Sequence, residues 1–338
     1  MITRRRAFLV AAGMTAALAA AGAVSLSTGA ASVGLGEVTR ALTGRPVSEL
    51  AATVVLGLRL PRILLAALAG AGLALAGAAL QALTRNPLAD PAVLGVASGA
   101  ALGAVLGQLA GLEGSLLAAF GLSALAFAGA LAAATAVYLI ASTGGRLPIQ
   151  TLLLAGVITG LFFSAVITLL LSLVDFARLG GILHWLMGSL DALGYRPVLA
   201  MAAGLALAGG VLYAQARALN LLALGEESAL QLGVEAERVK RIVFVAASLL
   251  TGVVVAHVGP IGFVGLIVPH AVRLAVGSDN RLLLPVAAGA GATFLVLADT
   301  LARVIVRPAE LPVGVITAFC GAPFFIYLLR TRLHRGLP

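Results

Sequence analysis

Apolar runs of 18 residues or more recur along this 338-residue chain, separated by short segments rich in arginine, proline and glycine. A helix needs about 20 apolar residues to cross a hydrocarbon layer. Inside that layer a helix is one of only two structures that satisfy their own backbone hydrogen bonds. The composition agrees, with 61% hydrophobic residues, 10% charged residues and a mean hydropathy of +1.11. Soluble domains carry about 25% charged residues. The expected fold is therefore all-α, a polytopic membrane protein forming a single transmembrane domain over residues 1–338.

Taken in order, the runs predict ten spans. Arg4, Arg5 and Arg6 precede a span from Phe8 to Leu26 and set the N-terminus in the cytoplasm. The segment also has the arginines, apolar core and small residues of a signal peptide. Its core outruns the usual length of such peptides and more spans follow, so a retained first helix is expected. Further spans are predicted at Leu56 to Leu83, Val93 to Leu109, Leu116 to Ile140, Thr151 to Leu171, Val198 to Ala216 and Ile242 to His257. A short, broken span from Gly259 to Gly277 comes next, because Gly259, Pro260, Gly262 and Gly265 interrupt the pattern. Leu282 to Leu301 and Leu311 to Leu329 complete the set. Between Ser172 and Pro197 the pattern predicts a short amphipathic helix on the outer side, with Trp185 and Tyr195 at the interface. Eight of the 22 basic residues then lie outside, among them Arg59, Arg62, Arg303 and Arg307; Arg330, Arg332 and Arg335 close the chain inside. Inward bias of this kind agrees with the positive-inside rule.

One stretch resists a bilayer interior. Residues 217–241, just after Ala216, carry Glu226, Glu227, Glu235 and Glu237 together with Arg217, Arg238, Lys240 and Arg241. A solvated connector between two spans is the plain interpretation. The regular recurrence of Leu221, Leu222, Leu224, Leu230, Leu232 and Val234 favours a short folded element shown to a cytoplasmic partner. Ser228 can start a helical turn, and Gly225 and Gly233 can end one on each side.

The third span holds Gly95, Gly99, Gly103 and Gly107 at strict four-residue spacing. One helix face would be bare backbone that a neighbour can approach closely. The preceding turn, Asn86-Pro87 to Asp90-Pro91, is restricted before each proline.

Several function classes lose their footing. Cys320 is the only cysteine, which excludes an intrachain disulfide and a thiolate cluster. His184, His257, His270 and His334 lack metal-ligand spacing, and no bound metal or cofactor is expected; His257 has no assignable role. The basic residues form no nucleic-acid stripe. No phosphate-binding GxxxxGK[ST] loop exists, and Lys240, the only lysine, cannot complete one. Among intramembrane positions the carboxylates reduce to Asp299, too little for an ion relay. What remains is a pore-forming body driven by another subunit, with an ion-coupled secondary transporter and a structural membrane protein as competing classes.

The motifs support a resemblance over essentially the full length. They are Arg59-Leu-Pro-Arg62, Gln81 with Asn86-Pro-Leu-Ala-Asp-Pro91, Leu154-Ala-Gly156, Trp185-Leu-Met-Gly188 and Gly259-Pro-Ile-Gly-Phe-Val-Gly265. Val268-Pro-His270, Ala298-Asp299, Glu310-Leu-Pro-Val-Gly314 and Gly321-Ala-Pro323 join them. The chain resembles the FecCD-type permeases of type II ABC importers for iron-siderophores, haem and vitamin B12. The resemblance implies an inner-membrane homodimer of ten-helix subunits, with two cytoplasmic ATPase subunits that hold the ATP and magnesium. A periplasmic or lipoprotein binding protein would deliver a metal chelate. It also implies that Gly225, Glu226, Glu227, Leu230, Leu232 and Gly233 contact the ATPase, and that Asn86 and Leu88 form the inner gate, with Arg146 to Gln150 as a second element. Arg59, Arg62 and Arg303 would pair with glutamates of the binding protein.

Overall fold

The computed structural model describes residues 4–29, 33–111, 118–191, 194–306 and 309–334. Arg307, Arg335 and the first residues of the expected fourth span lie outside them. The described chain is helical, with only an isolated bridge between Thr143 and Arg146. In order the helices are α1 (Arg4–Ser27), α2 (Leu35–Leu42), α3 (Glu49–Thr84), α4 (Val96–Leu109), α5 (Ala118–Ala141), α6 (Ile149–Ser172) and α7 (Phe176–Leu186). They continue with α8 (Arg196–Ala214), α9 (Ala216–Leu222), α10 (Glu226–Gln231), α11 (Ala236–Val258), α12 (Val264–Val276), α13 (Asn280–Ala302) and α14 (Val313–His334). Among the described residues seven helices are long and apolar enough to cross a membrane: α1, α3, α5, α6, α8, α11 and α13. Val96–Leu109, Val264–Val276 and Val313–Ile326 are shorter apolar stretches.

Helix α3 is the centre. In its most apolar window 83% of residues are buried inside the protein, against 17% in α1. It contacts α8, α11, α12 and α13, and glycines and alanines among its buried leucines let those neighbours approach closely. A Cβ added at Gly70 would collide with the Gly291 carbonyl of α13, and one at Gly77 with the Gly265 carbonyl of α12. Lipid tails are as apolar as leucine, so helices associate in a membrane by close backbone packing, for which small residues are required.

Two irregularities in long helices are explained by local sequence. Thr53–Arg59 is a π-helical turn inside α3. Pro61 follows it, offers no N–H to the preceding turn and would strike the carbonyl four residues back, so the wider turn relieves both defects. A second π turn, Leu205–Gly209, interrupts α8 beside Gly204, Gly209 and Gly210. The expected short eighth span is α12: thirteen residues at 1.5 Å each cover roughly 20 Å of a roughly 30 Å layer. The stretch before it, through Gly259 (φ 70) and Phe263 (φ 69), covers part of the remainder. Phe263 lies in the left-handed region, which is strained for a bulky side chain.

The glycines of the third span divide by partner. Gly99, Gly103 and Gly107 face α5, where an added Cβ would meet Gly129, Ala133 and Leu125. Gly95 does not share that face. It precedes α4 with φ 73, after the 3₁₀ turn Pro91–Leu94, and lies against Gly156 and Gly160 of α6. The four-residue spacing thus runs through a helix cap as well as a helix face.

We predict that Gly99→Leu lowers the thermal unfolding midpoint of the detergent-solubilised protein, because overpacking of a close contact costs about 1–3 kcal/mol. A midpoint equal to wild type would show that α4 can separate from α5 without loss.

Candidate functional site: a coupling surface and two polar ends

Connections at the two ends of the helices form two polar layers. At one end the segment 217–241 forms α10 as a six-residue helix between Gly225 (φ 121) and Gly233 (φ 83). Both glycines adopt backbone angles that other residues resist. Glu226 and Glu227 occupy its first turn, where the helix dipole favours negative charge. The N-cap is Gly225; Ser228 lies within the helix and does not start it. Ala229 is fully buried underneath, whereas Leu224, Leu230 and Leu232 are 60–68% exposed. Three exposed leucines beside a folded turn make an apolar ridge.

The ridge is anchored by a residue that sequence reasoning passed over. Lys240 is buried, with Nζ 2.8 Å from Glu226 Oε1 and 2.9 Å from Glu237 Oε1. Glu237 Oε2 in turn accepts a hydrogen bond from the Leu147 N–H at 2.7 Å. One ammonium therefore ties α10 to α11, and Glu237 carries the tie on to the loop that leads into α6. The signals available in the sequence were a solitary lysine and its three-residue spacing from Glu237.

Two further connections lie at this end. Asn220 Nδ2 donates to Asp279 Oδ1 at 2.7 Å, and Asn220 Oδ1 accepts from the Asn280 N–H at 2.9 Å, joining α9 to α13. Hydrogen bonds from Arg281 and Asn220 hold the Asp279 carboxyl well below the usual carboxylate range. The turn after α3 begins at Arg85, left-handed at φ 50, and continues with Asn86 Oδ1 accepting from the Leu88 N–H at 2.9 Å. That local bond replaces a backbone turn and leaves Leu88 exposed. Asp90 caps Pro91–Leu94 by accepting from the Ala92 N–H. Burial pushes the Asp90 carboxyl up to about 6, and that hydrogen bond offsets only part of the effect.

The opposite end holds the three arginines expected to dock a partner, and two of them, Arg59 and Arg303, are buried there. Asp299 of α13 is fully buried. It pairs with Arg303 at 3.0 Å and with Arg62 at 2.9 Å. Arg303 also donates to the Thr28 carbonyl and to Ser25, and Arg59 donates to the Leu26 carbonyl. Arg59 and Arg303 thus turn inward and clamp the end of α1. Their positions at helix ends suggested exposure; the carboxylate within reach and the open carbonyls of α1 supply a buried alternative. Only Arg62 reaches the rim, where it meets Glu310 at 2.7 Å and Asp191 at 3.4 Å. Burial alone would raise the Asp191 carboxyl, but hydrogen bonds from Ser189 and His184 and the charge of Arg62 hold it below the usual range. Tyr195 bonds the Leu56 carbonyl at 2.8 Å, and Trp185 packs into the protein core beneath α7, so neither is a simple interfacial anchor.

The other candidates fall into structural positions. His257 Nδ1 sits 2.8 Å from the Val253 carbonyl of its own helix. His270 is buried with its ring edge-on to Phe324. No group of three metal-binding side chains forms among the described residues.

A multi-span helical body, with an exposed apolar ridge at one polar end and a buried ionic cluster at the other, belongs to the class of polytopic helical membrane proteins. The comparisons make the assignment specific. The family model of the FecCD transport family matches residues 14–331, and the chain belongs to that family, the permeases of ABC importers. It is 47% identical over 292 residues to the cobalamin import system permease protein BtuC of Halobacterium salinarum, covering 86% of this chain and 77% of that protein. To the hemin transport system permease protein HmuU of Yersinia pestis it is 41% identical over 317 residues, covering 93% and 94%. The solved structure of a metal-chelate type ABC transporter in an inward-facing conformation matches with a TM-score of 0.83 at 33% identity, covering 94% of this chain and 98% of that one.

Two outcomes test this geometry. Lys240→Met should speed amide hydrogen exchange across Glu226–Gln231 while leaving α3 protected, since only the tie beneath α10 is lost. Equal exchange in both proteins would show that Ala229 packing alone holds the helix. The second concerns Asp90. With a carboxyl pKa raised from 3.8 to about 6, the folded state retains a proton that the unfolded chain releases, so stability falls as pH rises through that window. Asp90→Asn removes the penalty and should raise the unfolding midpoint at pH 8, an effect of about 1–3 kcal/mol, with the gain shrinking towards pH 4. A gain independent of pH would place its cause elsewhere.

Proposed function

We propose that this chain is the permease subunit of an ATP-driven importer that moves a large metal chelate from periplasm to cytoplasm across the inner membrane. The observation that carries the reading is the apolar ridge of Leu224, Leu230 and Leu232, exposed on and beside a helix that Lys240 anchors to the body. A ridge of that kind fills a groove on a partner, and the family membership makes the partner an ATPase subunit. Two such subunits would bind and hydrolyse ATP, and the permease would act as a homodimer with its path along the dimer axis. Ten crossings, counting the three shorter apolar helices, would leave both termini on one side, and the arginines near each end of the chain support the cytoplasm for that side, with α10, Asn86 and Leu88 facing it. Asn86 and Leu88 then form the inner gate. A binding protein would dock at the opposite end, where Arg62 lies among Asp191 and Glu310; Arg59 and Arg303 are engaged within the permease.

A ferric siderophore or haem is the first reading of the cargo. The hemin permease and the Fe(3+)-citrate import system permease protein YfmD of Bacillus subtilis, 39% identical over 279 residues, support it. The cobalamin permease at 47% identity supports a second, vitamin B12. Both are bulky chelates that a cavity lined by small and apolar side chains can pass.

Leu230→Asp should abolish transport-linked ATP hydrolysis in proteoliposomes while the permease inserts and melts as wild type, because a buried unpaired carboxylate is costly in an apolar groove. Unchanged co-purification and unchanged coupling would remove α10 from the interface. Retention of radiolabelled ferric siderophore, haem or cobalamin by the cognate binding protein then decides the cargo.

A further inference from the structure

Among the concave apolar surfaces of the described residues, one lies away from both the coupling ridge and the ionic cluster at Asp299 and carries a charged group. Between α5, α8 and α11 runs a groove of about 600 Å³, walled by Phe127, Leu207, Val211, Val245 and Leu249, with Arg241 at its mouth. A smaller pocket of about 170 Å³ adjoins it between α5 and α11, and shares Phe127, Val245 and Leu249 with the groove. Volumes of several hundred Å³ with apolar walls and one charged group are typical of ligand sites.

Three observations concern the occupant. First, Arg241, Val245, Leu249 and Val253 follow one another at four-residue spacing, so a single stripe of α11 runs from a guanidinium to purely apolar side chains. The site is amphipathic along the membrane normal, charged at the boundary and apolar below it. Second, the Arg241 side chain is exposed, and its hydrogen bond goes only to the Glu237 carbonyl of its own helix at 3.3 Å. The nearest carboxylate, Glu237, is already engaged by Lys240 and the Leu147 N–H, and Arg238, exposed one turn further out, adds a second positive charge. Third, the facing wall of the groove is the π turn Leu205–Gly209 of α8, which presents Leu207 at 74% exposure beside Gly204. Such turns inside α-helices are frequent at functional sites.

We propose that this groove is a binding site for one anionic phospholipid, with an acyl chain against Phe127, Leu207, Val245 and Leu249 and the phosphate headgroup on Arg241. Charge complementarity selects the occupant: basic pockets between membrane helices at the boundary hold anionic headgroups. The site is separate from the coupling ridge and from the ionic cluster at Asp299, and it places a lipid on α11, the helix that carries Lys240.

The test uses the full chain in nanodiscs of seven parts phosphatidylcholine to three parts phosphatidylglycerol, followed by native mass spectrometry of the lipids retained after transfer to detergent. The wild type should retain phosphatidylglycerol over phosphatidylcholine beyond the bilayer ratio by roughly fivefold, the factor one arginine supplies at an anionic surface. Arg241→Gln should return the retained ratio to that of the bilayer, and Leu207→Trp should reduce retention of both lipids by filling the groove. Arg217→Gln, which changes an exposed arginine outside the groove, should leave the ratio unchanged. Added phosphatidylglycerol should also raise the unfolding midpoint of the wild type and not of Arg241→Gln, which reads the site even where a variant is less stable. No enrichment in the wild type, an unchanged ratio in Arg241→Gln, or an equal fall in Arg217→Gln would each overturn the proposal. So would lipid-independent loss of dimer in Leu207→Trp, which would assign the groove to a second copy.

Discussion

Close approach of backbones around α3 is the constraint on which the rest of this structure depends. In hydrocarbon the apolar faces of two helices gain nothing from leaving water, so contact distance decides whether they stay together. Gly70 against Gly291 and Gly77 against Gly265 bring α13 and α12 onto α3 at distances that no side chain permits. The same device repeats between α4 and α5 through Gly99, Gly103 and Gly129. Gln81 adds a polar tie, donating to the carbonyls of Gly265 and Leu266. Those carbonyls lie at the start of α12, near the proline whose missing N–H would otherwise leave an acceptor unfilled.

With the middle of the bundle made of smooth, small-residue contacts, specificity of arrangement falls to the ends. Asp299 gathers Arg62 and Arg303, and through them α1, α3 and α13 are joined at one level. Removing one partner from such a buried cluster leaves an uncompensated charge, which is far costlier than the pair is favourable. Lys240 does the same at the other end for α10, α11 and the loop before α6. Each cluster joins elements distant in sequence, and each uses a side chain that hydropathy alone would place at the surface.

Much of the architecture was legible from residue order. Apolar length located the helices, including the short α12, because the hydrocarbon thickness is an external ruler. The glycines at Gly225 and Gly233 delimited α10 because backbone angles of φ 121 and φ 83 exclude most other residues. Burial of charge was not legible. Arg59 and Arg303 have the same local sequence whether they face a partner or the carbonyls of Leu26 and Thr28; the difference lies in α1, more than thirty residues before Arg59 and more than two hundred before Arg303. Lys240 was hidden for a related reason, since Glu226 reaches it only after α10 has folded back over α11. The regular spacing of Gly95 with Gly99 also misled: periodicity counts residues, and it cannot tell a helix from the cap that precedes it.

The two clusters differ in how firmly they bind what they join, and that difference bears on how motion could pass through the chain. Asp299 is sealed from solvent and satisfied by two guanidinium groups, so the α1–α3–α13 junction should behave as one rigid body. Around Lys240 the ammonium is buried but Glu226 is nearly half exposed, and water can replace its contact at small cost. A partner docked on Leu230 and Leu232, as proposed above, would act on the weaker of the two junctions. Displacement of α10 would pull on Lys240, hence on the first turn of α11, and through Glu237 on Leu147 and the start of α6. Helix α6 keeps a broad exposed apolar face, including Leu154, Ile158, Leu161 and Phe162, and makes few contacts with α3. The tie at Lys240 thus ends just before the first residues of a long helix that packs on α4 and α5 rather than on the α3 core.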